Sequence, residues 1–204
     1  KNGAVIKEDM GDLQLKIENG NVVGVLSSKE TFIGKFIVLA AGAWSDLLLK
    51  PLGIELGIVP IRGQLVIYDT PNRFLKSPIY TKNNGYITPK NDGYTFVGST
   101  VEKVGFDEGT TQDAKDKLTQ IARDLVPELA RRPIRGIISG LRPGSPNGLP
   151  IIGPLKKYPN LILATGHYRN GVLLTPITAK IVGELILGKK PSIDLTPYLP
   201  PSVN

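Results

Sequence analysis

Phe36-Ile37-Val38-Leu39-Ala40-Ala41-Gly42 is a continuous apolar run that stops at a glycine. A strand apolar on both faces is normally covered by helices on both, the setting of an interior strand in a parallel sheet. A second run with the same character, Leu161-Ile162-Leu163-Ala164, comes much later and is followed by Gly166. The chain between them changes style. Residues 64–68, 85–88 and 94–98 are short alternating segments separated by turn clusters such as Lys90-Asn91-Asp92-Gly93, a pattern that predicts an antiparallel meander. Two parallel-type strands therefore bracket an antiparallel insert. The expectation is a mixed α/β (α+β) chain of two domains, one discontinuous over 1–45 and 138–204, the other continuous over 46–137.

The remaining elements follow from local signals. Residues 4–6, 13–17 and 22–26 read as strands, and Glu18-Asn19-Gly20-Asn21 joins the last two through an Asn-Gly hairpin turn. Residues 44–49 read as one or two helical turns stopped before Pro51. Over 111–126, Ala114, Leu118, Ile121, Ala122, Leu125 and Val126 fall on one helical face, with Thr110 and Asp113 as the start signal and Pro127 at the end. A last helix carries Ile177, Ile181, Val182, Leu185 and Ile186 and closes at Gly188. Its start is open between Thr175 as cap with Pro176 at the first position and an earlier turn from Asn170 with a kink at Pro176. The tail from Pro191 reads as extended.

Composition excludes several chemistries. The 204 residues contain no cysteine and a single histidine, His167, which removes disulfides, thiolate metal sites, thiol catalysis, cysteinyl cofactor attachment and poly-histidine metal centres. No metal is expected. The net charge of +7 is spread over scattered lysines and arginines without interleaved aromatics, so the expectation is a solvated basic surface that steers an acidic substrate, not a nucleic-acid platform. No apolar run approaches the ~18 residues of a membrane span and no secretory signal opens the chain, so a cytoplasmic protein is expected. The opening Lys1-Asn2-Gly3-Ala4-Val5-Ile6 lacks an initiator methionine and reads as cut from a longer protein. No two glycines are separated by one residue, so the G-x-G-x-x-G fingerprint is missing. Phosphate-loop and G-x-S-x-G motifs are missing too, and carboxylates do not pair as acid and base. No side chain is assigned a catalytic role.

Three segments combine glycine, arginine and aromatic residues. Ser139-Gly140-Leu141-Arg142-Pro143-Gly144, continuing to Gly148-Leu149-Pro150-Ile151-Ile152-Gly153, sets an arginine fork between glycines, suited to gripping a carboxylate through two hydrogen bonds. A surface or capping arginine is the alternative. Gly166-His167-Tyr168-Arg169-Asn170-Gly171 joins a buried strand to an apolar helix, where backbone N–H groups and the helix dipole face a ligand. A tight turn holding one satisfied histidine is the alternative there. Ala40-Ala41-Gly42-Ala43-Trp44-Ser45 places small residues at a strand–helix junction, which allows either a ligand or another backbone to come close.

Together these strings resemble the D-amino-acid oxidase superfamily of flavoproteins, in its glycine oxidase, sarcosine oxidase and amino-acid dehydrogenase branch. Val38 to Ser45 looks like the strand that ends the family's first flavin-domain segment. Pro60-Ile61-Arg62-Gly63-Gln64 resembles the stretch leading into the substrate domain, and Gly140 to Pro143 with Gly148 to Gly153 resembles the return. Gly166 to Pro176 is similar to the flavin-contacting turn and final helix. The resemblance implies a partial FAD-binding, Rossmann-like domain and an antiparallel substrate domain, with the amino-terminal dinucleotide-binding part not in this chain. It implies FAD as cofactor in the complete protein and oxidation of the amine of a small amino or imino acid by hydride transfer. By the same resemblance Arg142 binds the substrate carboxylate, Tyr86 and Val101 line the substrate pocket, and Asn84 falls on a pocket position that carries histidine in the glycine oxidase branch. Arg169 lies beside substrate and flavin. Leu13, Ala41, Gly42, Trp44 and the stretch His167, Tyr168, Arg169, Asn170, Gly171, Val172, Leu173 contact the cofactor. The implied partner is the missing amino-terminal flavin-binding part or a partner subunit, with self-association left open. A non-catalytic binding or assembly subunit that keeps the substrate-domain fold is the competing reading.

Overall fold

The computed structural model describes residues 3–71, 75–82 and 85–201. In chain order these form β1 (Gln14–Glu18), β2 (Asn21–Leu26), β3 (Thr31–Ile33), β4 (Ile37–Leu39), α1 (Ser45–Leu49), β5 (Val59–Asp69), β6 (Ile79–Tyr80), β7 (Tyr86–Pro89), β8 (Tyr94–Gly98), α2 (Gln112–Leu125), β9 (Ile134–Gly144), β10 (Ile151–Pro154), β11 (Leu161–Thr165) and α3 (Gly171–Ile186). The chain divides into two compact units. One comprises Lys1–Val59 with Pro143–Asn204, the other Pro60–Arg142.

In the discontinuous unit, β1 and β2 form the expected hairpin, with Asn19 at φ 50° and Gly20 at φ 75°. Two successive left-handed residues make the turn whose twist matches paired strands. β3 extends this sheet through β2. The second sheet has the order β10-β11-β4, with β11 parallel to β4 and antiparallel to β10. The two apolar runs singled out in the sequence are thus direct neighbours, Leu161 to Leu163 facing Ile37 to Leu39 in register. Leu39, Leu161 and Leu163 are buried with Leu15, Val22 and Leu49. On α3, Ile181 packs against Ile152 and Leu195.

Several expectations are corrected here. Residues 4–6 form no strand, and Val5 and Ile6 are 78% and 83% exposed. Among the described residues β4 pairs only with β11, so it is an edge strand with Val38 39% exposed, not an interior one. α1 ends at Leu49, before Pro51 as expected, but Pro51 is not in a loop. It lies in a 3₁₀ turn over Lys50–Leu52 that ends at left-handed Gly53, because a proline in a first turn forfeits no intrahelical bond. Of the two starts left open for α3, the earlier one holds: the helix begins at Gly171 with Asn170 as its cap, leaving Pro176 inside. Its end is as expected: Gly188, at φ 65°, donates to Leu185 O while Lys189 N donates to Glu184 O.

The junctions, Val59/Pro60 and Arg142/Pro143, fall later than the expected 45/46 and 137/138. Asp46 explains the first of these. Its carboxylate oxygens accept the N–H groups of Leu56 (3.0 Å) and Ile58 (2.9 Å), which folds residues 46–58 back so that Ile54, Leu56 and Ile58 enter the same core as Leu39 and Leu161.

Among the described residues the continuous unit holds a five-stranded sheet, β6-β7-β8-β5-β9. α2 lies on one face of it, its Leu118 and Ala122 packed with Val66, Tyr68, Ile87 and Val97. The cap of α2 is Thr111, not Thr110: its Oγ1 accepts from Ala114 N at 3.2 Å. β9 carries no alternating signature, and the sequence marks only a strand's end at Arg142, which lies near the end of β9.

Asp46→Ala should lower the unfolding free energy of the discontinuous unit by about 2 kcal/mol, since two amides lose a charged acceptor. Urea unfolding followed at Trp44 measures this, and an unchanged midpoint would show that the fold-back is held by other contacts.

Candidate functional site

The first candidate site lies on the face of the five-stranded sheet opposite α2. Successive strand residues point to opposite faces, and Val66, Ile87 and Val97 face the helix. The neighbours that alternate with them, Leu65, Tyr86 and Gly98, therefore share the other face, and the register places Gly98 directly between Leu65 and Tyr86. A Cβ at Gly98 would come within 2.1 Å of Leu65 Cδ2 and 3.2 Å of the Tyr86 Cζ and Oη atoms. The phenol thus lies over a glycine. Two residues along β5 the arrangement repeats. A Cβ at Gly63 would sit 2.0 Å from both Nη1 and Nη2 of Arg142, so the guanidinium from β9 lies against bare backbone. Its Nη2 donates to Ser99 Oγ (2.8 Å) and its Nη1 to Thr100 O (3.2 Å).

Arg62 and Gln64 flank Gly63. Arg62 is only 5% exposed. Its Nε donates to Glu102 Oε2 at 2.6 Å, and its Nη1 to Asp107 Oδ2 at 2.6 Å and Gly109 O at 3.0 Å. Gln64 is fully buried; its Nε2 donates to Glu102 Oε1 (2.9 Å) and its Oε1 accepts from Thr111 N (2.8 Å). Burial pushes the Glu102 carboxyl up, but hydrogen bonds from Thr100, Arg62 and Gln64 and the Arg62 charge outweigh it and hold the group below its ordinary range. Asp107 is also lowered, first by the backbone N–H of Gly109 and then by Arg62.

The second candidate site belongs to the discontinuous unit. A hollow of about 400 Å³ is lined by Val38, Ala40, Gly42, Ala164, His167 and Gly171, and along α3 by Thr175, Thr178 and Val182. Thr165 and Ser45, both buried, fix its edge: their hydroxyls approach Gly42 O at 3.1 and 2.8 Å and each other at 2.7 Å. Gly42 is left-handed at φ 53°, and a Cβ there would meet no protein atom within 4 Å. The Gly166–Gly171 turn is tightly built. Gly166 has φ 74°, and a Cβ would press on Ser145, Ile58 and the Ile151 amide. Tyr168, also left-handed, donates its N–H to Pro143 O at 3.0 Å. His167 Nε2 pairs with Thr178 Oγ1 at 3.0 Å, and burial holds its imidazole below the ordinary pKa. A second hollow of about 300 Å³ is lined by Leu13, Leu15, Val25, Ala41 and Leu48 together with β4.

Of the residues expected at the cofactor, Gly42, His167 and Gly171 line the larger hollow, and Leu13 and Ala41 the smaller. Trp44, Tyr168, Arg169, Asn170, Val172 and Leu173 line neither. Val172 and Leu173, in the first turn of α3, are 93% and 78% exposed. Of those expected at the substrate, Tyr86 and Arg142 share one sheet face, half-exposed Val101 directly follows Thr100, and exposed Arg169 sits on the other unit. Asn84 lies outside the described residues. Gly63, Ser99 and Thr100, which hold Arg142, were not found from sequence. The available signal was a glycine inside an alternating strand, which marks close backbone approach.

A family model described as "DAO: FAD dependent oxidoreductase" matches residues 1–185. The chain belongs to this family of FAD-dependent oxidoreductases. It is 44% identical over 183 residues to the glycine oxidase of Pseudomonas aeruginosa, a match covering 90% of this chain and 50% of that protein. With the glycine oxidase of Pseudomonas putida the identity is 41%, over the same shares. Among solved structures, glycine oxidase from Geobacillus kaustophilus is similar at a TM-score of 0.85 and 29% identity, covering 94% of this chain and 52% of that one. L-proline dehydrogenase from P. horikoshii shares the fold at a TM-score of 0.83 and 23% identity, covering 92% and 52%. The chain therefore spans about half the length of the curated relatives it matches. The family cofactor is FAD, and the larger hollow has room for a flat group: Val38, Ala40, Ala164 and Ala179 border it together with Thr175 and Thr178, and at Gly42 there is open space where a Cβ would stand.

His167 gives this hollow a pH signature. Its folded-state pKa is lowered from 6.5, so the unfolded chain binds the proton more readily and protonation favours unfolding. Stability is full above the unfolded pKa and declines as pH falls below it. His167→Gln should flatten the stability profile in the window just below pH 6.5, above the range where carboxylates titrate. Calorimetric midpoints across that window measure it, and an unaltered slope would place the dependence elsewhere.

Proposed function

We propose that this chain provides the substrate-binding sheet and the ring-side part of the flavin cradle of an enzyme that oxidises the amine of a small amino or imino acid. The observation that carries the reading is Arg142, fixed by Ser99, Thr100 and the bare backbone of Gly63 on the same sheet face as Tyr86. A guanidinium seated so firmly can orient a carboxylate without first losing its own side-chain freedom. Tyr86 supplies an aromatic wall beside it. The glycine oxidases to which the chain is similar support an amino-acid substrate.

Flavin, when bound, accepts the hydride and supplies the oxidising chemistry. The residues named here bind and orient. Gly42, His167, Gly171 and the α3 amino terminus would hold the ring, with neutral His167 adding no positive charge to the apolar lining. Arg142 would hold the carboxylate so that the α-hydrogen is presented in one orientation. This division of labour needs no side-chain nucleophile and no acid–base pair.

Two measurements test the proposal in the complete protein. The purified protein should carry a flavin absorbance band and consume oxygen or an artificial acceptor with small amino or imino acids. A colourless protein that stays colourless after incubation with FAD would favour the non-catalytic reading. Arg142→Lys should lower kcat/KM for these substrates about 10- to 100-fold, because a point charge replaces a fork, while leaving the absorbance intact. Unchanged turnover would remove Arg142 from the carboxylate site.

A further inference from the structure

The contact between Arg142 and Gly63 carries an inference that deepens the proposed function and rests on it. From the guanidinium's seat we infer that Gly63 and Ser99 are positioning residues that set the Arg142 fork, and so make affinity for a carboxylate depend on a missing side chain one strand away. A Cβ at Gly63 would lie 2.0 Å from both Nη1 and Nη2 and 2.2 Å from Cζ of Arg142. What must give is the far end of a long side chain, not backbone. Gly63 is not left-handed, so alanine costs no strain there, and a strand interior gains slightly from losing glycine. Gly63→Ala therefore leaves the sheet intact while evicting the guanidinium from its place.

Ser99 constrains the same group from another side. Its Oγ accepts from Nη2 at 2.8 Å, and the adjoining Thr100 carbonyl accepts from Nη1 at 3.2 Å. Both acceptors leave β8 where β5 is held to them: Gln64 N donates to Thr100 Oγ1 at 2.9 Å. The guanidinium is thus fixed in distance by Gly63 and in rotation by Ser99 and Thr100. Ser99 is 8% exposed, so its hydroxyl is a fixture of the sheet and not a rotor in solvent. Fork-to-carboxylate pairing depends on the direction of two N–H bonds at once. A tilted guanidinium keeps its charge but loses the second hydrogen bond.

The test uses the complete, flavin-loaded protein and compares a small amino acid, the amine of the same skeleton without the carboxylate, and acetate as a competing carboxylate. Gly63→Ala should raise KM for the amino acid and the inhibition constant for acetate about 10- to 100-fold. The amine without a carboxylate should be handled as before, and the melting temperature should not fall. Ser99→Ala should shift the same constants in the same direction by a smaller factor, and Ser99→Thr, which restores the hydroxyl, should recover them. Combined with Arg142→Lys, Gly63→Ala should add nothing further, since both remove the same fork. If Arg142→Lys raises the acetate constant and Gly63→Ala does not, the positioning role fails while the carboxylate site stands. An equal loss with the amine and the amino acid after Gly63→Ala also overturns the positioning role. If Arg142→Lys itself changes neither constant, it is the underlying reading of Arg142 that fails.

Discussion

The continuous unit is organised around strict alternation along three residues of β5, Arg62-Gly63-Gln64. Arg62 and Gln64 project to one side, where both bind Glu102. Through Asp107, Gly109 and Thr111 they also fix the loop that leads into α2. Gly63 faces the other side and supplies an absence into which Arg142 fits. A one-residue slip of β5 would exchange these roles, placing a buried cation where the guanidinium of Arg142 lies and a glycine where Glu102 needs a partner. Register and site geometry are the same constraint here.

The network around Arg62 shows why this register is secure. A buried arginine is costly unless each hydrogen-bonding direction is met. Arg62 meets two carboxylates and a carbonyl, and Glu102 receives Thr100 and Gln64 in addition. Glu102 consequently stays ionised despite its burial, and it gives α2 a fixed origin through Gln64 and the Thr111 cap. Thr100 belongs to this network by its side chain and to the Arg142 seat by its carbonyl. One residue thus couples the anchoring of the loop to the placement of the site's cation.

Much of this was legible in the sequence. The paired apolar runs, the Asn-Gly hairpin, the antiparallel insert and the amphipathic face of α2 all follow from periodicity and turn chemistry, which are local. What was missed depends on partners distant in sequence. β4 reads as interior because all its residues are apolar, yet only β11 pairs with it among the described residues. Residues 4–6 are equally apolar and form no strand, since a short run has no propensity strong enough to order it without a neighbour. The start of α3 stays open in the sequence between Asn170 and Thr175, and packing selects the earlier one, with Thr175 Oγ1 bonding back to Gly171 O at 2.8 Å. At the first candidate site, Arg142 stands out in the sequence by its glycine-flanked setting and Tyr86 only by the family resemblance, whereas neither signal marks Gly63 or Ser99 as part of the site. Their roles consist of what they leave empty or hold still, and only a partner strand reveals that.

The two candidate sites differ in a way that bears on the chemistry. The sheet face carries a guanidinium with fixed hydrogen-bond acceptors, a polar arrangement built for directional recognition. The hollow beside β4 and α3 is bordered by small apolar side chains and threonines, and its one ionisable ring, His167, is kept neutral by burial and paired with a threonine. On the proposed function the first would orient a carboxylate and the second would lie against a flat ring, whose developing negative charge the backbone N–H groups at the start of α3 would favour. A chain with no cysteine, one histidine and no paired acid and base can serve both, because neither role requires a side chain to react. On that reading, the rigidity of the Arg142 seat would supply the orientation and a bound cofactor the bond-breaking.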